Sequence, residues 1–444
     1  MTNESRTFNM MRDMESSNYK LIIVGAGAAG LMAAAYLSTA LSSQDSTHWQ
    51  EPQVLLLEKM PRAARKLNIT GKGRCNLTNA RHWDEFCIHI HPNPNFLKSA
   101  FYNFSSSDCM AFFEQLGLPL TIERGQRVYP KSMRAMDVTD TLVNSIKAHN
   151  VVRLLQDSPV EEVSYKEGHF FVAAGGKVYS SENLLLTTGG MAYPSTGSSG
   201  DGYRFAKELG HTIVQPIPSL TALVPKDYIS DNGTLTKFGA SLKGLQLKNV
   251  SLSLWINGAV VQQEFGDLDF TDGGIEGALG FRVSRKAVAS LVQNQKVALS
   301  LDLKPSLSEE QIRQRIKRES SGGNNSLRFL LGRLLPKQLI APFLALNPQL
   351  EQMSSSKAVE QLPHCLKNVN FTIVSYVGFN RCVVTNGGVS LKEVSQKSME
   401  SKIVKGLYFA GELLDLDGDT GGYNLQIAFS TATLAARSAM KLSE

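Results

Sequence analysis

The segment VGAGAAG places Gly25, Gly27 and Gly30 at GxGxxG spacing. In that pattern the first glycine permits a tight turn, the second lets a pyrophosphate approach the backbone, and the third allows close helix–strand packing. The helix start that follows offers unpaired N–H groups and a positive dipole end to the phosphates. Glu58 closes the next apolar run and can accept hydrogen bonds from both ribose hydroxyls of an adenosine. It stands farther on than the roughly 20 residues usual for this acidic position, and the polar stretch 42–53 accounts for the difference. Only one such fingerprint occurs, which favours permanently held FAD over NAD as the sole cofactor.

Residues 62–79, RAARKLNITGKGRCNLTN, carry five basic side chains and no acidic one. A basic, glycine-rich loop of this kind can neutralise phosphate and wrap a flavin. Near the C-terminus, GLYFAGELLDLDGDTGGYNLQ reads as a buried strand ending at Gly411-Glu412, then a glycine-rich loop opening a helix at 422–425. A carboxylate at such a strand end can bind ribityl hydroxyls. The helix end can face the pyrimidine edge of a flavin, where negative charge grows on reduction.

The four carboxylates Glu412, Asp415, Asp417 and Asp419 do not make a calcium loop. Counted from Asp415, glycine falls at position 4 and position 12 is Gln426, against Gly at 6 and Glu at 12 in an EF-hand. His89 and His91 read as a loop pair without a third ligand, so no metal is expected. Five cysteines, none in a CxxC pair, exclude a disulfide framework and a zinc ribbon. Cys75 reads as a small buried filler.

Strand, glycine-rich turn, helix and strand over residues 21–58 form a βαβ unit, which implies a parallel sheet. Residues 151–188 alternate in short segments, as an antiparallel layer feeding one more buried strand. The texture changes near 210, and Asn257-Gly258 sits between alternating runs as a strong hairpin signal. The expected fold is α/β: a Rossmann-like FAD/NAD(P)-binding domain split in sequence, with an inserted β-barrel-like module carrying a small helical subdomain. The boundaries fall at 1–209 (1–19 a flexible leader), 210–368 (helical insert about 278–346) and 369–444.

The 444 residues are 42% apolar and 19% charged, with 36 Gly against 16 Pro. This describes a globular chain rather than a disordered or fibrous one. The first twenty residues lack an apolar signal-peptide core, and no run of about 18 apolar residues occurs, so the expected location is cytoplasmic, without a membrane. A net charge of +6 permits an anionic cofactor or nucleic acid and demands neither.

VGAGAAG, EKMPRAARKLNITGKGRCNLTN, TTGGMAYPSTGSSGDGY, VTNGGVS and GLYFAGELLDLDGDTGGYNLQ together resemble a family of bacterial NAD(P)/FAD-dependent oxidoreductases that includes aminoacetone-oxidase-family FAD-binding enzymes. The resemblance runs from about residue 21 to the C-terminus. It implies that Gly25, Gly27, Ala28, Ala29, Gly30, Glu58 and Lys59 hold adenosine and pyrophosphate. It places Lys66, Arg74, Asn76, Thr78 and Val160 along the cofactor. Thr188, Gly189, Gly190, Gly411, Glu412, Asp419, Gly422, Tyr423, Asn424, Leu425 and Gln426 would complete a non-covalent FAD site.

One segment departs from the family. FTHxGxSGPxxL reads here FTDGGIEGALGF over residues 270–281, with Asp272 for His, Glu276 for Ser and Ala278 for Pro. Either the loop faces substrate and two carboxylates change its charge preference, or it only packs the insert.

The reading from sequence is an FAD-dependent oxidoreductase acting on a small molecule, with NAD(P)H as a transient donor and Tyr193 and Tyr423 as proton-transfer candidates. Two alternatives stand beside it. One is a flavin-dependent RNA uridine reductase, suggested by the 62–74 cluster and the basic helix bearing Arg313, Arg315, Lys317 and Arg318. The other is a non-enzymatic FAD-binding redox sensor.

Overall fold

Residues 21–24 and 54–57 are apolar at every position, and all eight side chains are buried. Such runs suit parallel strands covered on both faces. In the computed structural model, which describes residues 18–42, 51–321 and 326–442, they are the centre of a seven-stranded sheet. Residues 1–17 of the expected flexible leader, most of the polar stretch after residue 42 and most of the SSGGNN stretch lie outside the described residues, while Asn18 and Tyr19, expected in the leader, belong to the first strand.

The chain divides into two units, Met1–Ile217 with Val384–Glu444, and Pro218–Val383. In the first, β1 (Asn18–Val24) leads through the glycine turn into α1 (Ala28–Ser42) and then β2 (Val54–Leu57). Next come β3 (Val152–Leu155), β4 (Val160–Lys166), β5 (His169–Ala174) and β6 (Lys177–Leu186), and the C-terminal part returns β7 (Leu407–Phe409) and α2 (Tyr423–Ala439). The strand order is β3-β2-β1-β6-β5-β4, with β7 also on β6. β1 pairs in parallel with β2 and β6, and β2 with β3. β6 changes neighbour along its length: its first half pairs antiparallel with β5, and residues 184–186 pair in parallel with β7.

Helices α1 and α2 pack on each other, and most residues of both are buried. Each fully buried Leu or Ile of this core contributes about 1.5–3 kcal/mol relative to an exposed side chain. The packing fixes the N-terminal ends of both helices, which is what the site requires.

The second unit is a closed barrel, in order Leu223–Pro225, Gly274–Glu276, Ala259–Thr271, Gln246–Ile256, Val297–Asp302 and Val369–Tyr376, all neighbours antiparallel. Asn257 and Gly258 both have positive φ, the type I′ requirement that made this hairpin legible.

The expected boundaries of the insert and of its helical part are corrected. The insert ends at 383 rather than 368, because Val369–Tyr376 closes the barrel instead of returning to the dinucleotide domain; its start moves from 210 to 218. The helical insert does not run from 278 to 346. Gly277–Val292 is a helix packed on barrel strand Ala259–Thr271, strand Val297–Asp302 follows, and the helical run extends from Glu309–Ser320 to Ser355–Lys367. Among the described residues no helix is long and apolar enough to cross a membrane, and no cluster of three His, Cys, Asp or Glu could hold a metal ion.

Candidate functional site

The turn after β1 shows why its glycines differ. Gly25 has φ +101°, and an added Cβ would lie 2.8 Å from the Thr187 carbonyl oxygen. A Cβ on Gly30 would stand 1.9 Å from the Gly25 oxygen, so these two glycines serve packing. Gly27 is different, because nothing lies within 4 Å of where its Cβ would be. Its backbone faces open space at the start of α1, a cradle that a phosphate group fits. The Thr187 hydroxyl ties the turn by donating to the Val24 and Gly25 carbonyls at 3.0 and 2.8 Å.

Glu58 lies at the end of β2 beside this turn. Its Oε2 accepts from the Ala26 N–H and its Oε1 from the Met60 N–H, both at 2.8 Å. Burial pushes its carboxyl above the usual range, and the backbone hydrogen bonds and Lys59 oppose that only in part. Each oxygen keeps a lone pair for a further donor, as ribose hydroxyls would provide. A cleft open to solvent runs past Gly27, Glu58, Lys59, Lys66, Val160 and Thr188.

Two lysines of the predicted set are already engaged. Lys59 Nζ donates to Asp201 Oδ2 at 2.6 Å and to Ser199. Lys66 Nζ lies 2.6 Å from Glu412 Oε2, while Glu412 Oε1 accepts from the Thr385 N–H at 2.9 Å. Gly190 is wedged beside this pair, where a Cβ would come 2.4 Å from Thr385 Oγ1 and 2.9 Å from Glu412 Oε1. Gly189 precedes it at φ +73°. Gly411 sits against Ala29 across the α1 packing surface and donates its N–H to Thr431.

The GKGRCNLT segment meets the start of α2. Gly422, at φ +98°, caps that helix so closely that a Cβ would lie 2.4 Å from the Thr78 carbonyl and 3.0 Å from Asn76 Oδ1. Asn76 Oδ1 and Thr78 Oγ1 are buried without a hydrogen-bond partner, and Thr78 is 0% exposed. Buried polar atoms are satisfied in more than about 90% of cases, so this pair, beside a helix N-terminus without a side-chain cap, fits a polar ligand. Together with the Gly27 cradle, these atoms fit a dinucleotide cofactor such as FAD.

Other predicted residues have structural partners. Arg74 turns to the Tyr129 ring, 4.8 Å away, and to Glu123, and not to the cleft. Gln426 is wholly buried, its amide nitrogen donating to the Phe104 carbonyl and Ser430 while its Oε1 has no hydrogen-bond partner. Asn424 closes its own loop through the Gly418 N–H and carbonyl, and Leu425 and Ala28 pack against the core. Asp419 receives His89 Nδ1 at 2.8 Å and His91 Nε2 at 3.2 Å. Burial works to raise the Asp419 carboxyl, but the two histidine hydrogen bonds prevail and hold it at about 2.

Tyr423 is 2% exposed, accepts from Arg81 at 2.8 Å and stacks on His89. Burial raises its hydroxyl pKa against the pull of Arg81. As a proton-transfer candidate its hydroxyl is therefore buried and already engaged by Arg81. Tyr193 is half-buried with φ +55°, and its carbonyl holds Thr196. Cys75 is fully buried, and burial pushes its thiol up to about 12, so it is an inert filler.

Sequence reasoning missed Asp201, Ser158, Thr196 and Ser198 in the cleft, and Thr385 beneath Glu412. Asp201, Thr196, Ser198 and Thr385 lie inside motifs quoted for the resemblance, which was the available signal. The departing barrel loop is also explained. Arg381 donates to Asp272 Oδ1 at 2.8 Å and lies 3.6 Å from Glu276 Oε1, so one guanidinium answers both added carboxylates. The Arg381 hydrogen bond is the main cause that holds the Asp272 carboxyl below its usual range.

Comparison with known proteins agrees with this architecture. The family model described as HI0933-like protein Rossmann domain matches residues 19–438. The chain is 31% identical to 3-dehydro-bile acid delta(4,6)-reductase of Clostridium scindens over 423 residues, covering 94% of this chain and 98% of that one. It is 29% identical to ribosomal RNA dihydrouridine synthase of Escherichia coli over 427 residues, 94% of this chain and 97% of that one. A solved point mutant of the E. coli quinol fumarate reductase FrdA aligns at 15% identity and TM-score 0.49, over 96% of this chain and 71% of that one. The match across both parts of the split domain bears out the resemblance read from the motifs, and the chain belongs to the HI0933-like Rossmann-domain family.

Proposed function

We propose that the protein is an FAD-dependent oxidoreductase exchanging hydride between NAD(P)H or a small organic substrate and an unsaturated acceptor or oxygen. The observation that carries this reading is the open Gly27 backbone at the start of α1 with the Glu58 carboxylate beside it. FAD held there, without a covalent bond, supplies the hydride exchange itself.

The chain's own residues do the rest. The start of α1 attracts phosphate, and Glu58 accepts from ribose hydroxyls. The Lys66–Glu412 pair presents a charge-balanced polar floor, and Thr78 Oγ1 with Asn76 Oδ1 offers polar contacts beside α2. The α2 N-terminus favours negative charge near it by about 0.3–2 kcal/mol. Of the two acceptor classes, the unsaturated one is supported by the relatives' names, since a delta(4,6) reduction and the making of a dihydrouridine each saturate a carbon–carbon double bond.

Uridine in RNA is the second reading, favoured by the dihydrouridine synthase relatives at 29% identity. Against it, the basic helix Glu309–Ser320 spends part of its charge internally, since Arg313 pairs with Glu310. The test is anaerobic reduction with NADH or NADPH, followed by an α,β-unsaturated ketone, a uridine-containing RNA or oxygen. Reoxidation by the ketone supports the proposal, and reoxidation by RNA alone moves it to the second reading. A bound flavin that no nicotinamide reduces leaves a small organic substrate as the donor, and one that no small organic reductant changes either contradicts both and leaves the sensor reading.

A further inference from the structure

His89 and His91 are separated by one residue as the chain enters the short strand Ile90–His91. His89 ends the tight turn Cys87–His89 and His91 ends the strand that follows it, and this change of backbone lets both rings reach one carboxylate. That carboxylate is brought by Asp417–Gly418, which pairs antiparallel with Ile90–His91, and the Asp419 N–H donates to the His89 carbonyl at 2.9 Å. A carboxylate only accepts. His89 must therefore present N–H at Nδ1, and His91 at Nε2. Each ring's other nitrogen is then where an additional proton is taken up.

The unit lies against the start of α2. The His89 ring stacks on the Tyr423 ring, with centroids 4.3 Å apart and planes 27° apart, and Tyr423 is the first residue of that helix. Asn424 bonds back to Gly418 and Asp419, tying the loop between histidines and helix. The same helix end lies against the Thr78 carbonyl and the unpartnered Asn76 Oδ1. The other charged groups facing the unit are Arg81, paired with Glu85 and bonded to Tyr423, Arg127 toward Tyr423, and Asp417, bonded to Asn386. Arg81 and Glu85 balance each other, so the net charge beside the helix start varies with the protons held by the two histidines.

We infer that His89, Asp419 and His91 form a positioning clamp that sets the α2 N-terminus against the cofactor and adjusts, through its proton load, how readily that cofactor is reduced. This rests on the FAD reading above. With neutral imidazoles the unit carries the Asp419 charge uncompensated. One added proton cancels it, and a second makes the unit positive. Each added proton makes the helix start more favourable to the negative charge of a reduced flavin, so the midpoint potential rises as pH falls more steeply than the flavin alone requires. The histidines act through the helix end and touch no reacting atom, so they are positioning residues.

The experiment measures the midpoint potential of the FAD-loaded protein against a reference dye between about pH 5 and pH 8, where histidine charge commonly changes. The wild type is compared with His89→Asn, whose amide replaces Nδ1–H, with His91→Gln, whose amide replaces Nε2–H, and with the double variant. The wild type is expected to show an added steepening that each single variant reduces and the double variant lacks. The oxidised-to-reduced ratio at the acid end should then differ between wild type and double variant by about two- to fivefold for each proton the unit has taken up, the effect of one charge at a helix end, and converge at the alkaline end. If the double variant does not retain FAD, the single variants decide by the same criterion. Retained FAD with wild-type pH curves in the variants overturns the inference and leaves the FAD reading intact. A wild-type protein that binds no FAD overturns the FAD reading first, and the inference with it.

Discussion

Lys66 and Glu412, 346 positions apart, meet at 2.6 Å with about a fifth of each side chain exposed. The pair joins the short helix Arg65–Ile69 after β2 to the end of β7, the two halves of a domain that the barrel interrupts in sequence. Glu412 is also held by the Thr385 N–H, so its carboxylate cannot move without leaving two donors unanswered. Glu412→Ala is expected to cost about 1–3 kcal/mol, the loss of a charge-assisted hydrogen bond. FAD affinity should fall with it, and urea unfolding with flavin titration measures both.

Gly27 and Gly30 should separate binding from folding. Gly27→Ala adds a methyl group where nothing lies within 4 Å, so its unfolding midpoint should stay near wild type. Its FAD affinity should drop about tenfold or more, as a charge-assisted contact to the backbone is lost. Gly30→Ala forces a Cβ to 1.9 Å from the Gly25 oxygen, and should lower both. Calorimetry of each variant with and without FAD distinguishes them. Equal destabilisation by both substitutions would contradict the cradle.

Asp419 predicts how stability depends on acid. Its carboxyl lies at about 2 in the folded chain against 3.8 for the free group. A depressed carboxyl contributes stability that is present above the unfolded value and lost as pH falls through the folded one. The wild type should therefore exceed Asp419→Asn by about 2 kcal/mol near neutrality, with the gap closing between pH 4 and pH 2. Glu58 acts in the opposite sense. Its folded value is raised above 4.5, so its contribution is present below that value and is lost as pH rises through the folded one. Urea midpoints of the apoprotein at several pH values check both signs.

Glu58→Gln tests the ribose contact. The amide retains one acceptor oxygen where Glu58 has two, both engaged by backbone N–H groups. One of those donors loses its partner, and the added ribose hydrogen bonds weaken. A tenfold or greater rise in the FAD dissociation constant is expected, about 1.4 kcal/mol or more. An unchanged constant would place the ribose elsewhere.

What was legible in the sequence was local. The turn at 25–30, the two buried runs and Glu58 are fixed by constraints within about 40 residues of one another. Asn257-Gly258 likewise announced its hairpin through the backbone conformation it permits. The boundary at 383 was not legible, because VNFTIVSY alternates as any strand does and only barrel closure shows which sheet takes it. The same limit hid the role of Glu412. A carboxylate at a strand end could be read, whereas Lys66 and Thr385 reach it only through tertiary folding. His89 and His91 were read as a loop pair because the partner that organises them, Asp419, stands some 330 residues away. Tyr423 and Gln426 belong to a motif whose residues serve two ends, some facing the site and some anchoring the helix beneath it.

The most direct test of the central claim is the visible absorption spectrum of the full chain after incubation with FAD and removal of the unbound cofactor. The account predicts a yellow protein that retains about one FAD per chain, as a single dinucleotide cradle requires, and releases it unmodified on denaturation. A colourless protein that takes up no FAD would contradict it.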